Sequence, residues 1–260
     1  MKLPIYQVDA FSGTVFGGNP AAVCPLENWI EDALMQKIAA ENNLAETAFF
    51  VQKGNDFEIR WFTPAVEVPL CGHATLASAK IIFDVLDYHK SEIQFSSKSG
   101  LLKVSETEDG LELDFPTYSF ENLELNQELK NIFPLAQAAA VVADSWLLLE
   151  FENEAQIQNF EPDFFKIAQL SYKNVIITAK GNEVDFVSRF FAPQMGINED
   201  PTTGSAHCFL TPFWAKKLGK DSFHAYQISE RKGELWCQLR GDRTLIAGKA
   251  VIYLEGSIWI

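Results

Sequence analysis

Basic charge is scarce in this chain of 260 residues: 21 Lys and Arg stand against 35 Asp and Glu, a net charge of −14. Such a surface repels phosphate backbones and anionic lipid, so nucleic acid and membrane are not expected partners. A locally positive pocket for a small anion stays possible. Long apolar runs are missing too. The most apolar window, AAAVVADSWLLLEF, is interrupted by Asp144 and Ser145 and is too short to span a bilayer. MKLPIYQVDAF has one lysine and no long apolar stretch, so no signal peptide is predicted there. Cysteine is confined to Cys24, Cys71, Cys208 and Cys237, far apart and without a CxxC pair. That pattern predicts reduced thiols and a cytoplasmic protein rather than a disulfide framework.

Several catalytic signatures are absent as well. The chain has no GxSxG nucleophile elbow and no GxxxxGK[ST] phosphate loop, and GTVFGGNP lacks the dinucleotide fingerprint. There is no HxxxH, and the adjacent His207 and Cys208 would point to different faces of a helix. No metal site is expected on that ground, and no cofactor.

What is present is mostly short strands: IYQVDAF, AAVCPL, TAFFV, FEIRWF, EIQFSS, LLKVSE and LELDF in the first half, then AAVVA, SWLLLEF, NVIITAK, DFVSRFF, LWCQLR and AVIYLEG. DALMQKIAAENN and EPDFFKIAQL predict short helices. ATLASAKIIFDVL after Gly72 and SAHCFLTPFWAKKL after Gly204 predict longer ones. These last two are apolar on nearly all sides, and such a helix must be enclosed by other elements. An α+β fold follows, with two sheets each wrapped around one central helix.

An internal repeat supports this duplication. RWFTP at 60–64 precedes EVPLCGHA at 67–74, and RFFAP at 189–193 precedes EDPTTGSA at 199–206. Each copy runs Arg-aromatic-Phe-x-Pro, then an acid, a proline, and a glycine three residues beyond it. Each glycine opens an enclosed helix. A change of composition near FPTYSFENLE suggests the boundary, giving an N-terminal domain of residues 1–117 with 251–260 and a C-terminal domain of 118–250.

Glycine-led helix starts offer free amides and a favourable dipole to a carboxylate or a developing oxyanion. Gly72, Gly204 and Ser205 are therefore candidate substrate-binding positions; EDPTTGSAHC on its own reads rather as a helix cap, and the repeat shifts that reading. Glu46, in the small apolar run NNLAETAFF, is a candidate acid-base group whose pKa burial would raise. A solvent-facing glutamate is the other reading of that stretch. His73 sits at a helix start, where the dipole disfavours the imidazolium, so a neutral donor or a structural histidine is expected.

Taken in order, VDAFSGTVFGGNPAAV, NLAETAFF, RWFTPAVEVPLCGHATLASA, SGLLKV with LELDFP, and EDPTTGSAHC resemble the PhzF-type phenazine-biosynthesis isomerase family. The resemblance runs from about Val8 to Gly256 and implies a diaminopimelate epimerase-like fold. That means two pseudo-symmetric domains, each a β-barrel-like sheet around a central helix, with the active site in the cleft between them. It further implies cofactor-free proton transfer on a small carboxylated substrate, and a homodimer. The family's glutamate corresponds to Glu46, its Gly-His to Gly72 and His73, its Asp and Gly-Ser to Asp200, Gly204 and Ser205, and the Asn of its GNP turn to Asn19. Epimerases and racemases of the fold use two opposed cysteines, for which this chain has Cys71 and Thr203. A threonine hydroxyl cannot replace a thiolate, so a two-thiol racemase is not expected and Cys71 is read as a small buried side chain. GHATLASA and PTTGSAHC resemble the broader members of the family, so the phenazine precursor itself is not implied.

Overall fold

The computed structural model describes residues 1–86, 88–143 and 145–260. The fold is mixed α/β, rich in strands and poor in helices. In chain order the elements begin β1 (Lys2–Ala10), β2 (Asn19–Leu26), α1 (Asp32–Asn42), β3 (Glu46–Lys53), β4 (Asp56–Phe62), β5 (Glu67–Val68), α2 (Gly72–Val85), β6 (Glu92–Ser97), β7 (Gly100–Thr107) and β8 (Gly110–Pro116). They continue β9 (Glu121–Leu123), α3 (Gln127–Ile132), β10 (Ala138–Val142), β11 (Trp146–Glu150), α4 (Glu154–Gln158), α5 (Phe164–Ile167), β12 (Asn174–Lys180), β13 (Phe186–Ala192) and β14 (Ile197–Asp200). Last come α6 (Gly204–Leu218), β15 (Ser222–Gln227), β16 (Gly233–Arg240), β17 (Arg243–Gly248) and β18 (Ala250–Trp259). Two compact units share the chain: residues 1–115 with 247–260, and residues 116–246.

In the first unit β1 pairs antiparallel with both β18 and β2. Strand β2 runs parallel to β3, β3 antiparallel to β4, and β4 antiparallel to β5 and parallel to β6. Strand alternation then sorts the side chains. Leu3, Cys24, Leu26, Phe49, Val51 and Phe62 face α1, packing with Met35, Ile38 and Ala39. The opposite face therefore carries Ala10, Asn19, Ala21, Glu46, Ala48 and Trp61, since Ala10 pairs with Asn19, Ala21 with Glu46 and Ala48 with Trp61. Helix α2 covers that face, packing on β1, β2, β3 and β18. The alanines there let the helix approach closely, and α2 is buried from His73 through Ala79 and again at Ile81 and Ile82.

The second unit shows the same run of pairings. Strand β11 is parallel to β12, β12 antiparallel to β13, and β13 antiparallel to β14 and parallel to β15. Its helix α6 is likewise buried over most of its length, with Pro212 inside it. A second apolar core gathers Phe133, Leu147, Leu149, Phe151, Ile177 and Phe191. Helices α3 and α4 are short, capped by Asn126 and Asn153 whose side chains accept the Leu129 and Gln156 amides.

Candidate active site

Glu46 is the first residue of β3, and Cys71 and His73 flank Gly72 where α2 begins. The three side chains converge. His73 Nε2 lies 3.2 Å from Glu46 Oε2, with the histidine 7% and the glutamate 13% exposed. Cys71 Sγ lies 3.5 Å from Nδ1 and 4.0 Å from Nε2 of the same ring. A carboxylate, a thiol and an imidazole thus meet at the foot of a helix. The Thr75 hydroxyl donates to the Cys71 carbonyl at 2.6 Å, fixing the turn that carries both Cys71 and His73.

The electrostatics of this trio act on both His73 and Cys71. Burial favours the neutral form of His73, but the facing Cys71 and Glu46 outweigh it and hold the imidazole pKa well above the ordinary histidine value. Its neighbours thus oppose desolvation and shift the balance toward the charged ring. Cys71 is buried as expected, yet it is a member of the cluster and not inert packing. Burial, then the charge of Glu46, push its thiol pKa up; His73 and the Ala74 amide oppose them. A CxH pair just before an apolar helix was the available signal for this contact.

Asn19 is fully buried and lies two residues before Ala21, on the same sheet face as Glu46. The loop leading to it is tightly wound. Phe11 and Phe16 have φ of 62° and 71°, and the Phe16 amide donates to Asp9 Oδ2 at 2.7 Å. Gly18 has φ +60°, and a Cβ there would stand 2.0 Å from the Ala10 carbonyl oxygen. Only glycine tolerates both the angle and the approach. Trp61, also on this face, is 1% exposed, and its indole N–H finds no hydrogen-bond acceptor among the described residues. Sequence reasoning did not single it out.

In the second unit Asp200 ends β14 and Thr203 caps α6. The Thr203 hydroxyl donates to Asp200 Oδ2. Buried Gln227 ties the same turn from β15: its Oε1 accepts the Thr203 amide at 2.8 Å, and its Nε2 donates to the Asp200 carbonyl at 2.6 Å. Gly204 is buried and Ser205 half-buried at the helix start. His207 is fully buried, its Nδ1–H donating to the Thr203 carbonyl at 2.9 Å while Nε2 has no partner. Burial drives its pKa down to about 4. Glu46, Gly72, His73 and Cys71 therefore gather in one unit, and Asp200, Gly204 and Ser205 in the other.

Residues 8–256 match the PhzC-PhzF family, described as phenazine biosynthesis-like protein. An uncharacterized isomerase of Pseudomonas aeruginosa is 49% identical over 99% of each chain. A crystal structure of a PhzF-family phenazine biosynthesis protein from Enterococcus faecalis superposes with a TM-score of 0.97 at 42% identity, covering both chains fully. More distantly, a predicted epimerase of Pseudomonas aeruginosa shares the fold, with a TM-score of 0.72 at 18% identity over 99% of each chain.

Proposed function

The chain belongs to the PhzC-PhzF family, and from that premise we propose that it is a cofactor-independent isomerase moving a proton within a small carboxylated substrate. The observation that carries the reading is the 3.2 Å contact between Glu46 and His73, beside a sheet face rich in alanine. Glu46 takes a proton from a substrate carbon; the electrons of that C–H bond enter an enolate-like system conjugated with the carboxylate. The Glu46 carboxyl exchanges its proton with solvent and then returns one to another carbon as the double bond shifts, so no oxidant or cofactor is required. His73 orients the carboxylate of Glu46 and offers positive charge to the developing anion. Asn19, the amides at Gly72, and Asp200, Gly204 and Ser205 are assigned to substrate binding and positioning. The curated relatives carrying the name isomerase support the reaction class.

We read the two units as copies of one plan, each a barrel-like sheet around its central helix. The repeated pairing order and the repeated Arg-acid-Pro-Gly segment support that reading. A homodimer is part of the same proposal, and sedimentation of the purified chain tests it. A cytoplasmic location is also part of the proposal, supported by four free, buried thiols; among the described residues no helix is long and apolar enough to cross a membrane.

The decisive experiment follows proton exchange. The wild-type chain, offered a panel of unsaturated carboxylates in deuterated water, is expected to place deuterium on carbon in at least one of them. Glu46→Gln should slow that exchange by about 10²-fold or more while leaving ligand affinity within a few-fold. Undiminished exchange by Glu46→Gln would remove Glu46 from the mechanism, and binding without exchange by the wild type would favour a ligand-binding protein instead.

A further inference from the structure

We propose that Glu46, Cys71 and His73 form a binding site for one thiophilic divalent cation such as zinc, whose occupancy silences the site. The binding half stands on geometry alone, and the silencing half rests on the isomerase reading above.

A carboxylate, a thiol and an imidazole are the three ligand types zinc takes in proteins. Among the described residues, this is the one trio of His, Cys, Asp or Glu whose ligand atoms all lie within 4.8 Å of one another. Tetrahedral zinc, with bonds of about 2.0–2.3 Å, holds neighbouring ligand atoms roughly 3.3–3.6 Å apart. Here His73 Nε2 is 3.2 Å from Glu46 Oε2 and 4.0 Å from Cys71 Sγ, and Nδ1 is 3.5 Å from the same sulfur. With Nε2 as the histidine donor, side-chain shifts of up to about 1 Å bring the three donors onto one centre. Two of the three share the rigid first turn of α2, and the third begins a strand hydrogen-bonded on both edges. The site is therefore largely preorganised.

Three protein donors leave a fourth position for water or a substrate carboxylate. On binding, the cation replaces the thiol proton and any proton carried by His73, and these leave to solvent. With its carboxylate ligated, Glu46 can no longer take a proton from carbon.

Cobalt is the spectroscopic probe. The full chain, stripped with chelator and titrated with Co²⁺, should bind one equivalent with a thiolate-to-cobalt charge-transfer band and the visible bands of a four-coordinate ion. Zn²⁺ should displace it. Cys71→Ser should abolish the charge-transfer band, and Glu46→Gln or His73→Gln should weaken binding more than about tenfold. No such band in the wild type, its persistence in Cys71→Ser, or unchanged affinity in both other variants overturns the site. Carbon-deuterium exchange is measured on the same samples. Inhibition that tracks zinc occupancy supports silencing, and full exchange at saturating zinc overturns it. Absence of exchange in metal-free protein refutes the isomerase reading, while the cobalt spectrum still decides the binding site.

Discussion

The Arg189 guanidinium grips the Glu199 carboxylate through two parallel bonds, Nε to Oε1 and Nη2 to Oε2, each 2.8 Å. Arg60 holds Glu67 in the same way at 2.8 and 2.9 Å. Each guanidinium also lies over a phenylalanine two residues along its strand, Phe191 at 5.2 Å and Phe62 at 5.3 Å. The third nitrogen differs in use: Arg60 Nη1 reaches Asp32 at the start of α1, whereas Arg189 Nη1 reaches the Phe160 carbonyl. The recurring acid of the repeat thus pins the loop that delivers each glycine-led helix start.

Lysine keeps the charge but cannot make the fork. Arg60→Lys and Arg189→Lys are each expected to destabilise the protein by about 1–2 kcal/mol, less than the full cost of breaking a deeply buried pair because both are partly exposed. Arg60→Lys should also lower turnover by loosening the approach to Cys71 and His73. Urea midpoints together with exchange rates check both effects; unchanged midpoints would reduce these clamps to surface decoration.

His73 provides a test by pH. Its folded pKa is raised well above the ordinary value, against burial, by Cys71 and Glu46. A base with a raised folded pKa adds stability that is fully present below the unfolded value of about 6.5 and is lost as pH rises through the folded value. The ring proton resonances of His73 should therefore titrate above the normal histidine range in the wild type. In Glu46→Gln the midpoint should move down, since burial remains while one acidic partner is gone. A midpoint insensitive to Glu46→Gln would break the assignment of the ion pair.

Much of this arrangement was legible in local sequence. The two enclosed helices announce themselves by apolar residues on every side after a glycine, and Gly72–Val85 and Gly204–Leu218 bear them out. The trio around His73 was not legible as a unit. Glu46 meets His73 only because β3 lies parallel to β2 with Glu46 opposite Ala21, which turns its side chain toward α2. Register of that kind is set by pairing between distant segments, and a one-residue slip would point Glu46 to the other face. The same long-range contact contributes to the raised pKa of His73, which the helix start alone did not suggest. Both the arginine and the acid of the repeat were visible, but not that they pair, since seven to ten residues of chain separate them. Helices α3 and α4 are too brief to display a helical period.

His207 carries the opposite titration. Burial holds its pKa at about 4, and only Nδ1 has a partner. Between that value and an unfolded value of about 6.5 the unfolded chain binds the extra proton, so stability falls as pH drops through this window. The loss attributable to this residue reaches about 3 kcal/mol at the acid end. Comparing urea unfolding of the wild type and His207→Gln across that range isolates the effect. The variant's stability should depend less steeply on pH, and parallel curves would show that His207 does not carry the acid sensitivity.

Gly18 tests whether the loop before Asn19 shapes the site. An added Cβ would meet the Ala10 carbonyl oxygen at 2.0 Å, and its collision is with backbone that cannot rotate aside. Gly18→Ala should cost about 2 kcal/mol or more, from steric conflict added to a left-handed φ. Gly54 supplies the control: its φ is +64°, yet nothing lies within 4 Å of the added Cβ. Gly54→Ala should cost about 1 kcal/mol, the conformational penalty alone. Because Asn19 follows Gly18 directly and shares a sheet face with Glu46, the Gly18 variant should also raise KM or lower turnover. The Gly54 variant should leave both unchanged. Equal costs in the two variants would show that the loop yields to the new methyl group, and that its tight winding does not hold Asn19 in place.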